Sequence, residues 1–221
     1  MLFNKEYSRP LRFLLAFFIS LLITVPVIDN SQYLQFIDLS IIGDVQKHES
    51  AFLHMWYVFV SFLDSPKAGL VWILIIAFLL WGFKYKIQAL WAMCNVFGGD
   101  VIDEVIKHII KRPRPTFHPA ADTGYSFPSG HVFSTFMVIS VLWLVVFPLI
   151  KKASWRWFAY IVATIWLIFV MLARIYLNAH YPTDTFGAIA IGYMWLQISE
   201  WLYIKIAPIL KKWPFTSHSY I

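Results

Sequence analysis

The sequence predicts an all-α integral membrane protein, a six-transmembrane helical bundle with an additional interfacial helical segment between spans 1 and 2. Three observations carry this prediction. Of the 221 residues, 60% are hydrophobic and only 14% charged, which is more apolar surface than a water-soluble domain of this size buries. Apolar stretches approaching or exceeding bilayer-spanning length recur along the chain. Eleven Trp, eleven Tyr and twenty Phe suit a bilayer, because amphipathic rings favour the headgroup zone and Phe the acyl core.

The first stretch, residues 11–28, follows Lys5, Arg9 and Arg12 as the core of a signal peptide does. No small-x-small cleavage site follows it in Val25-Pro26-Val27-Ile28-Asp29, so an uncleaved anchor is expected. Residues 31–65 are apolar but studded with Asp38, Asp44, Lys47, His48, Glu49 and His54, and are predicted to be interfacial. The remaining spans are placed at residues 68–83, 87–110, 130–150, 157–176 and 183–206; the second of these is interrupted by Gly98-Gly99 and acidic residues. The whole of 1–221 reads as a single domain. Cys94 is alone, forms no intramolecular disulfide and reads as a small core residue.

Six spans place Lys5, Arg9, Arg12, Lys84, Lys86, Lys151, Lys152, Arg156, Lys205, Lys211 and Lys212 on one side, which is then cytoplasmic together with both termini. The net charge of +6 is scattered over span ends and not gathered on one polar face, which argues against a nucleic-acid partner. The other seven cations, Lys47, Lys67, Lys107, Lys111, Arg112, Arg114 and Arg174, fall on the outer side against the positive-inside trend. Four of them lie within eight residues, and most belong to three polar segments at 107–115, 128–131 and 173–184. The order of spans brings all three to one membrane face. Something anionic is therefore expected there.

His180 and Asp184 are four apart, with Pro182-Thr183 suited to a helix start, so the carboxylate can reach the imidazole. A carboxylate that accepts from one ring N–H leaves the other nitrogen as a nucleophilic lone pair. Lys107, Arg114 and Arg174 surround that imidazole with donors matched to phosphate oxygens, and supply charge for phosphoryl transfer without a metal. The N–H groups of Ser129 and Gly130 open a span and add a helix-terminus anion site, with the Ser129 hydroxyl as a further ligand. His131, in the first turn, suits the proton transfers of a general acid.

A metal site is the rival reading for two His and one Asp, but three cations in the cluster repel a divalent ion and no His-Glu-x-x-His-like spacing is present. No metal or other cofactor is expected. His108 and His118 are possible accessory groups, while His48, His54 and His218 carry no signal. Asp100, Asp103 and Glu104 leave two readings open, a structural Asp103–Lys107 pair at helical spacing or simple solvation of the segment. Each feature alone is ordinary: cations snorkel at span ends and Pro-Ser-Gly marks turns. Their joint placement on one face is not.

Lys107-x6-Arg114-Pro115, Pro128-Ser129-Gly130-His131 and Arg174-x5-His180-x3-Asp184 together resemble the three signature motifs of the type 2 phosphatidate phosphatase superfamily of membrane lipid phosphatases. The size and the short 116–127 link are similar to its compact bacterial members of the phosphatidylglycerophosphatase B and undecaprenyl-diphosphate phosphatase type. The resemblance implies His180 as phosphorylated nucleophile, Asp184 as its partner, His131 as acid, and Lys107, Arg114, Ser129, Gly130 and Arg174 as phosphate ligands. It implies a multi-pass cell-membrane enzyme that removes phosphate from phosphatidylglycerophosphate, phosphatidate or undecaprenyl diphosphate on the extracytoplasmic side. One departure is Ala173 where the third motif usually has Ser. The alternative is a non-catalytic lipid phosphate binder, carrier or scaffold, which needs the cations but not both His and the Asp.

Overall fold

The computed structural model describes residues 7–220; among these the regular structure is all helical, without a strand, and residues 111–129 form a non-helical connection. Eight α-helices run in the order α1 Arg9–Ile28, α2 Gln32–Gln46, α3 Ala51–Leu63, α4 Pro66–Gly82, α5 Lys86–Ile110, α6 Gly130–Val141, α7 Ala153–Tyr176 and α8 Pro182–Leu210. Past Val141, α6 continues through a π turn, Leu142–Val146, and a 3-10 turn, Phe147–Leu149. Lys5, one of the cations assigned above to the cytoplasmic side, lies outside the described residues.

The segment 31–65, predicted to be interfacial, contains two helices, α2 and α3. Ser50 caps α3 by accepting from the Leu53 N–H, and Ser65 caps α4 by accepting from the Ala68 N–H, with Pro66 in the first turn. The Ser65 cap and Pro66 lie at a sharp elbow, where α3 and α4 meet at 53°. Asp38 of α2, expected near water, is fully buried.

α6 is the central helix: α4, α5, α7 and α8 all pack against it. Val132, Phe133, Met137 and Val141 are fully enclosed, and Ser134, Thr135 and Ser140 are buried with them. Outside it, α1 lies along α8 and leaves Leu22 75% exposed, while α7 leaves Trp157 65% exposed, the pattern of a surface solvated by acyl chains. Cys94 is on this outer surface, which corrects its expected place in the core.

Among the described residues three helices, α1, α6 with its continuation, and α7, are long and apolar enough to cross a membrane by length and composition, and the bent α3–α4 pair makes a fourth if taken as one span. α5 and α8 each carry several polar groups inward. Asn95 and Asp103 on α5, and Gln197 and Glu200 on α8, are all buried in the bundle. Glu200 pairs with Arg9 of α1 at 3.2 Å, and Ser199 donates to Asn95 Oδ1 at 2.7 Å.

Candidate active site

The three polar segments meet at one end of the bundle. α5 ends where Lys111 adopts a left-handed conformation (φ 55°), which turns the chain into Arg112-Pro113-Arg114-Pro115. Arg112 then points inward and Lys111 outward. One turn back, Lys107 forms an ion pair with Asp103, so the two readings of that acidic group resolve to the pairing. Gly130 stands where any Cβ would come within 2.7 Å of Lys107 Nζ, so the absent side chain lets the ammonium lie against the start of α6.

Arg114 is the strap between segments. Its Nη1 donates to the Ala179 carbonyl at 2.9 Å and lies 3.1 Å from His180 Nε2, while Nε and Nη2 donate to the carbonyls of Gly124 and Thr123. Arg174, 2% exposed on the last turn of α7, donates from Nη1 to Ser61 Oγ at 2.5 Å and from Nη2 to Asp122 Oδ1 at 2.6 Å. Its Nε is buried without a hydrogen-bond partner.

Ser129 caps the start of α6, but its hydroxyl makes no capping bond and is buried and unpartnered. Its N–H donates to the Asp184 carbonyl at 3.1 Å. That corrects the expectation of two free N–H groups at the anion site: the Ser129 N–H holds α8, and the first-turn N–H groups begin with Gly130. The link is reinforced where Phe127 packs against Gly187, at which a Cβ would meet the ring at 2.5 Å.

His180 follows a left-handed Asn178 (φ 57°) in the turn between α7 and α8, and its N–H donates to the Arg174 carbonyl at 3.1 Å. The nearest acceptor for Nδ1 is the Ser126 carbonyl at 2.8 Å, with Asp184 Oδ2 at 3.5 Å. The expected dyad is therefore an arrangement of three, in which a backbone carbonyl takes the Nδ1 proton and Asp184 supplies charge beside it. Either way Nε2 is left as the lone pair, facing Arg114. Asp184 makes its shorter bonds elsewhere: Oδ2 accepts from the Tyr181 N–H at 2.9 Å, closing the N-terminus of α8, and Oδ1 accepts from Arg112 Nη1 at 2.5 Å.

Burial, followed by the nearby charges of Arg174, Arg114 and Lys107, pushes the His180 pKa well below the ordinary histidine value. The folded protein thus keeps His180 neutral where the unfolded chain takes up a proton. By linkage, stability that depends on His180 is full above about pH 6.5 and is lost progressively as pH falls below it. Thermal unfolding in detergent should show the stability difference, wild type minus His180→Ala, shrinking from pH 7.5 to pH 5; a difference independent of pH would contradict the neutral assignment.

His131 is half-buried and lines a cavity of about 730 Å³ with Arg174, Ser61, Lys67, Asp122 and His54. Its volume suits a lipid headgroup. His180, at 1% exposure, does not itself line the cavity. His54, which carried no signal in the sequence, is part of the wall; the accessory candidates His108 and His118 are exposed, paired with Glu104 and the Pro115 carbonyl respectively. Ala173 is fully buried in the apolar core.

Sequence reasoning missed Asp38, Arg112, Thr183, Ser126, Asp122 and Ser61. Asp38 had a readable signal, an acid inside the apolar run Phe36-Ile37-Asp38-Leu39. The duplicated Arg-Pro of 112–115 marked Arg112 as well as Arg114. Ser126 acts through a backbone carbonyl, for which no side-chain pattern exists.

The sequence profile of the PAP2 superfamily matches residues 85–206, which contain all three polar segments. The chain belongs to the PAP2 superfamily. Phosphatidylglycerophosphatase B of Bacillus subtilis (strain 168) is 34% identical over 103 residues, 45% of this chain and 51% of that one, so the match spans about half the length of this relative. The crystal structure of a transmembrane PAP2-type phosphatidylglycerolphosphate phosphatase from Bacillus subtilis superposes with a TM-score of 0.74 at 21% identity, covering 94% of this chain and 100% of that one. LpxE of Aquifex aeolicus gives 0.57 at 18% identity over 76% and 95% of the two chains. The PAP2 arrangement of helices thus extends beyond the profile match to nearly the whole chain.

Proposed function

We propose that this PAP2 protein is a metal-independent membrane phosphatase that removes the terminal phosphate of a lipid phosphate or diphosphate through a phosphohistidine intermediate. The observation that carries the reading is the state of His180: its Nδ1 proton is directed at the Ser126 carbonyl and its Nε2 at a guanidinium of the phosphate-binding type. In the first half-reaction the phosphate oxygens take the donors of Lys107, Arg114, Arg174 Nε and the Ser129 hydroxyl, together with the Gly130 N–H. Arg114 then gives up Nε2, which forms the N–P bond. The P–O bond to the lipid breaks, and His131 delivers a proton to the departing oxygen. In the second half-reaction His131 takes a proton from water, the oxygen attacks phosphorus, and the N–P bond breaks to restore His180 and release inorganic phosphate. The fixed cations hold the equatorial charge throughout.

Similarity to phosphatidylglycerophosphatase B supports a phosphorylated lipid as the substrate class, with phosphatidylglycerophosphate, phosphatidate and undecaprenyl diphosphate as candidates. The membrane arrangement belongs to the same proposal: α1, α4, α5, α6, α7 and α8 span, with α2 and α3 forming the interfacial roof. α5 and α8, with 25 and 29 residues, are about 37 and 43 Å long, enough to cross a hydrocarbon core of about 30 Å. Asn95, Asp103, Gln197 and Glu200 face the bundle and not the lipid, and such polar groups are why composition alone passes over these helices. The positive-inside rule puts both termini in the cytoplasm and the site outside.

The test is phosphate release by the purified protein from those three lipids and a soluble phosphate ester, with a chelator present. Turnover of at least one lipid, faster than the soluble ester and unaffected by the chelator, is the expected result. Activity that disappears with the chelator would restore the metal reading, and tight binding without turnover of any lipid would make the protein a binder or carrier.

A further inference from the structure

The buried charge next to His180 is more extensive than the three motifs require, and it reaches into a helix outside the PAP2 profile match. Arg112 donates from Nη1 to Asp184 Oδ1 at 2.5 Å and to Thr183 Oγ1 at 2.8 Å, and from Nη2 to Asp38 Oδ2 at 2.7 Å. Asp38 Oδ1 accepts from the Thr183 N–H at 3.0 Å, and Oδ2 from the Thr183 hydroxyl at 2.7 Å. The guanidinium lies over the Tyr181 ring, 4.1 Å from its centroid. Side-chain exposure is 7% for Arg112 and zero for both carboxylates.

We propose that Asp38 and Arg112 are positioning residues for the His180–Asp184 pair, with Arg112 orienting Asp184 and Asp38 anchoring both Arg112 and the first turn of α8. The assignment rests on the reading of His180 as nucleophile. Its logic is first geometric. Asp184 Oδ2 can face both the Tyr181 N–H and His180 only while Oδ1 is held from the opposite side, and Arg112 alone provides that hold among the hydrogen bonds of Oδ1. Arg112 in turn bridges two carboxylates that α2 and α8 contribute separately.

The second part is charge. One guanidinium between two carboxylates leaves this group of three with a net charge of −1, on the Nδ1 side of a ring whose Nε2 faces Arg114. Phosphorylation at Nε2 with Nδ1 still protonated makes the ring cationic, and that negative charge stabilises it. Without Asp38, Arg112 would cancel Asp184 and the imidazole would face a neutral pair. Burial keeps solvent from screening the difference. Burial alone would lower the Arg112 pKa, but Asp184 and Asp38 more than offset this and hold it above the ordinary arginine value, so the bridge stays charged.

Asp38→Asn tests the anchor. Asn keeps the size, but its amide group opposes one of the donors from Thr183 or Arg112 and the charge is gone. The readout is formation of dephosphorylated lipid in a single turnover with enzyme in excess, because an inactive fraction does not lower the rate constant at saturating enzyme. The expected result is a fall of about 10- to 100-fold in that rate constant with KM within about threefold of wild type, since small misplacement of a reacting group costs on this scale. Arg112→Lys, which keeps the charge but cannot fork between two carboxylates, should fall similarly and serves if Asp38→Asn does not yield monodisperse protein. A single-turnover rate constant within twofold of wild type in either folded variant, with His180→Ala inactive in parallel, would overturn the positioning role alone. Full activity of His180→Ala would instead overturn the reading beneath it.

Discussion

His180→Ala is expected to abolish phosphate release from every lipid phosphate offered, by about 10⁴-fold or more, since removal of an activated nucleophile leaves only binding and electrostatic stabilisation. The side chain contributes little that alanine would disturb elsewhere: its ring bonds are to the Ser126 carbonyl and to Arg114, and the backbone bond from its N–H to the Arg174 carbonyl survives the substitution. Truncation also leaves Lys107, Arg114, Arg174 and Ser129 in place. The variant should therefore still bind inorganic phosphate or a lipid phosphate while failing to turn it over, and added imidazole should restore part of the rate by occupying the vacated space. The measurement is phosphate release by monodisperse protein alongside direct binding of the same lipid. Turnover within tenfold of wild type would remove the phosphohistidine from the mechanism, because His131 stands in the wall of the cavity and shares none of the contacts that hold the His180 lone pair.

The sequence made helix positions and motif residues legible for different reasons. Spans 130–150 and 157–176 are apolar runs with charged or imidazole side chains only near one end, at His131 and Arg174, and the helices found there coincide with them within a few residues. Interfacial residues 31–65 were harder, because a stretch that mixes acids with Phe and Leu reads the same whether its acids meet water or a buried guanidinium. Asp38 meets Arg112, 74 residues away, and nothing local announces that. The same limit applied to the His180–Asp184 spacing. Four residues put the carboxylate within reach, but the closer acceptor is the Ser126 carbonyl, delivered by a loop 54 residues earlier in the chain. Ser129 shows the converse. Its N–H looked available at a helix start, and tertiary packing assigned it to the Asp184 carbonyl while leaving the hydroxyl free. Chemistry that resides in side-chain type is visible in a sequence; chemistry that resides in backbone groups appears only once the chain is folded.

Arg174→Ala should lower kcat/KM by about 10²- to 10³-fold, the scale on which losing one preorganised donor to a developing anion is felt. Arg174 is a buried cation with one nitrogen still open. Its two terminal nitrogens are committed to Ser61 and Asp122, which leaves the unpartnered Nε as the donor for phosphate. A buried guanidinium also balances Asp122, so truncation leaves a carboxylate beside the cavity and costs stability, about 3 to 5 kcal/mol for breaking a buried pair. Arg174→Lys separates the two effects. Lysine retains the charge that Asp122 needs but has one nitrogen in place of three, so it cannot satisfy Ser61 and Asp122 and still present a donor to phosphate. It should melt close to wild type yet lose at least about tenfold in kcat/KM, more in kcat than in KM, because interactions with phosphoryl oxygens strengthen as the transition state forms. Asp122→Asn, which removes the anchoring charge but leaves Arg174 in place, should lose less than Arg174→Lys. If Arg174→Lys matched wild-type kcat/KM, the residue would be a structural tie between α7, α3 and the 116–127 loop, and phosphate would depend on Lys107 and Arg114 alone.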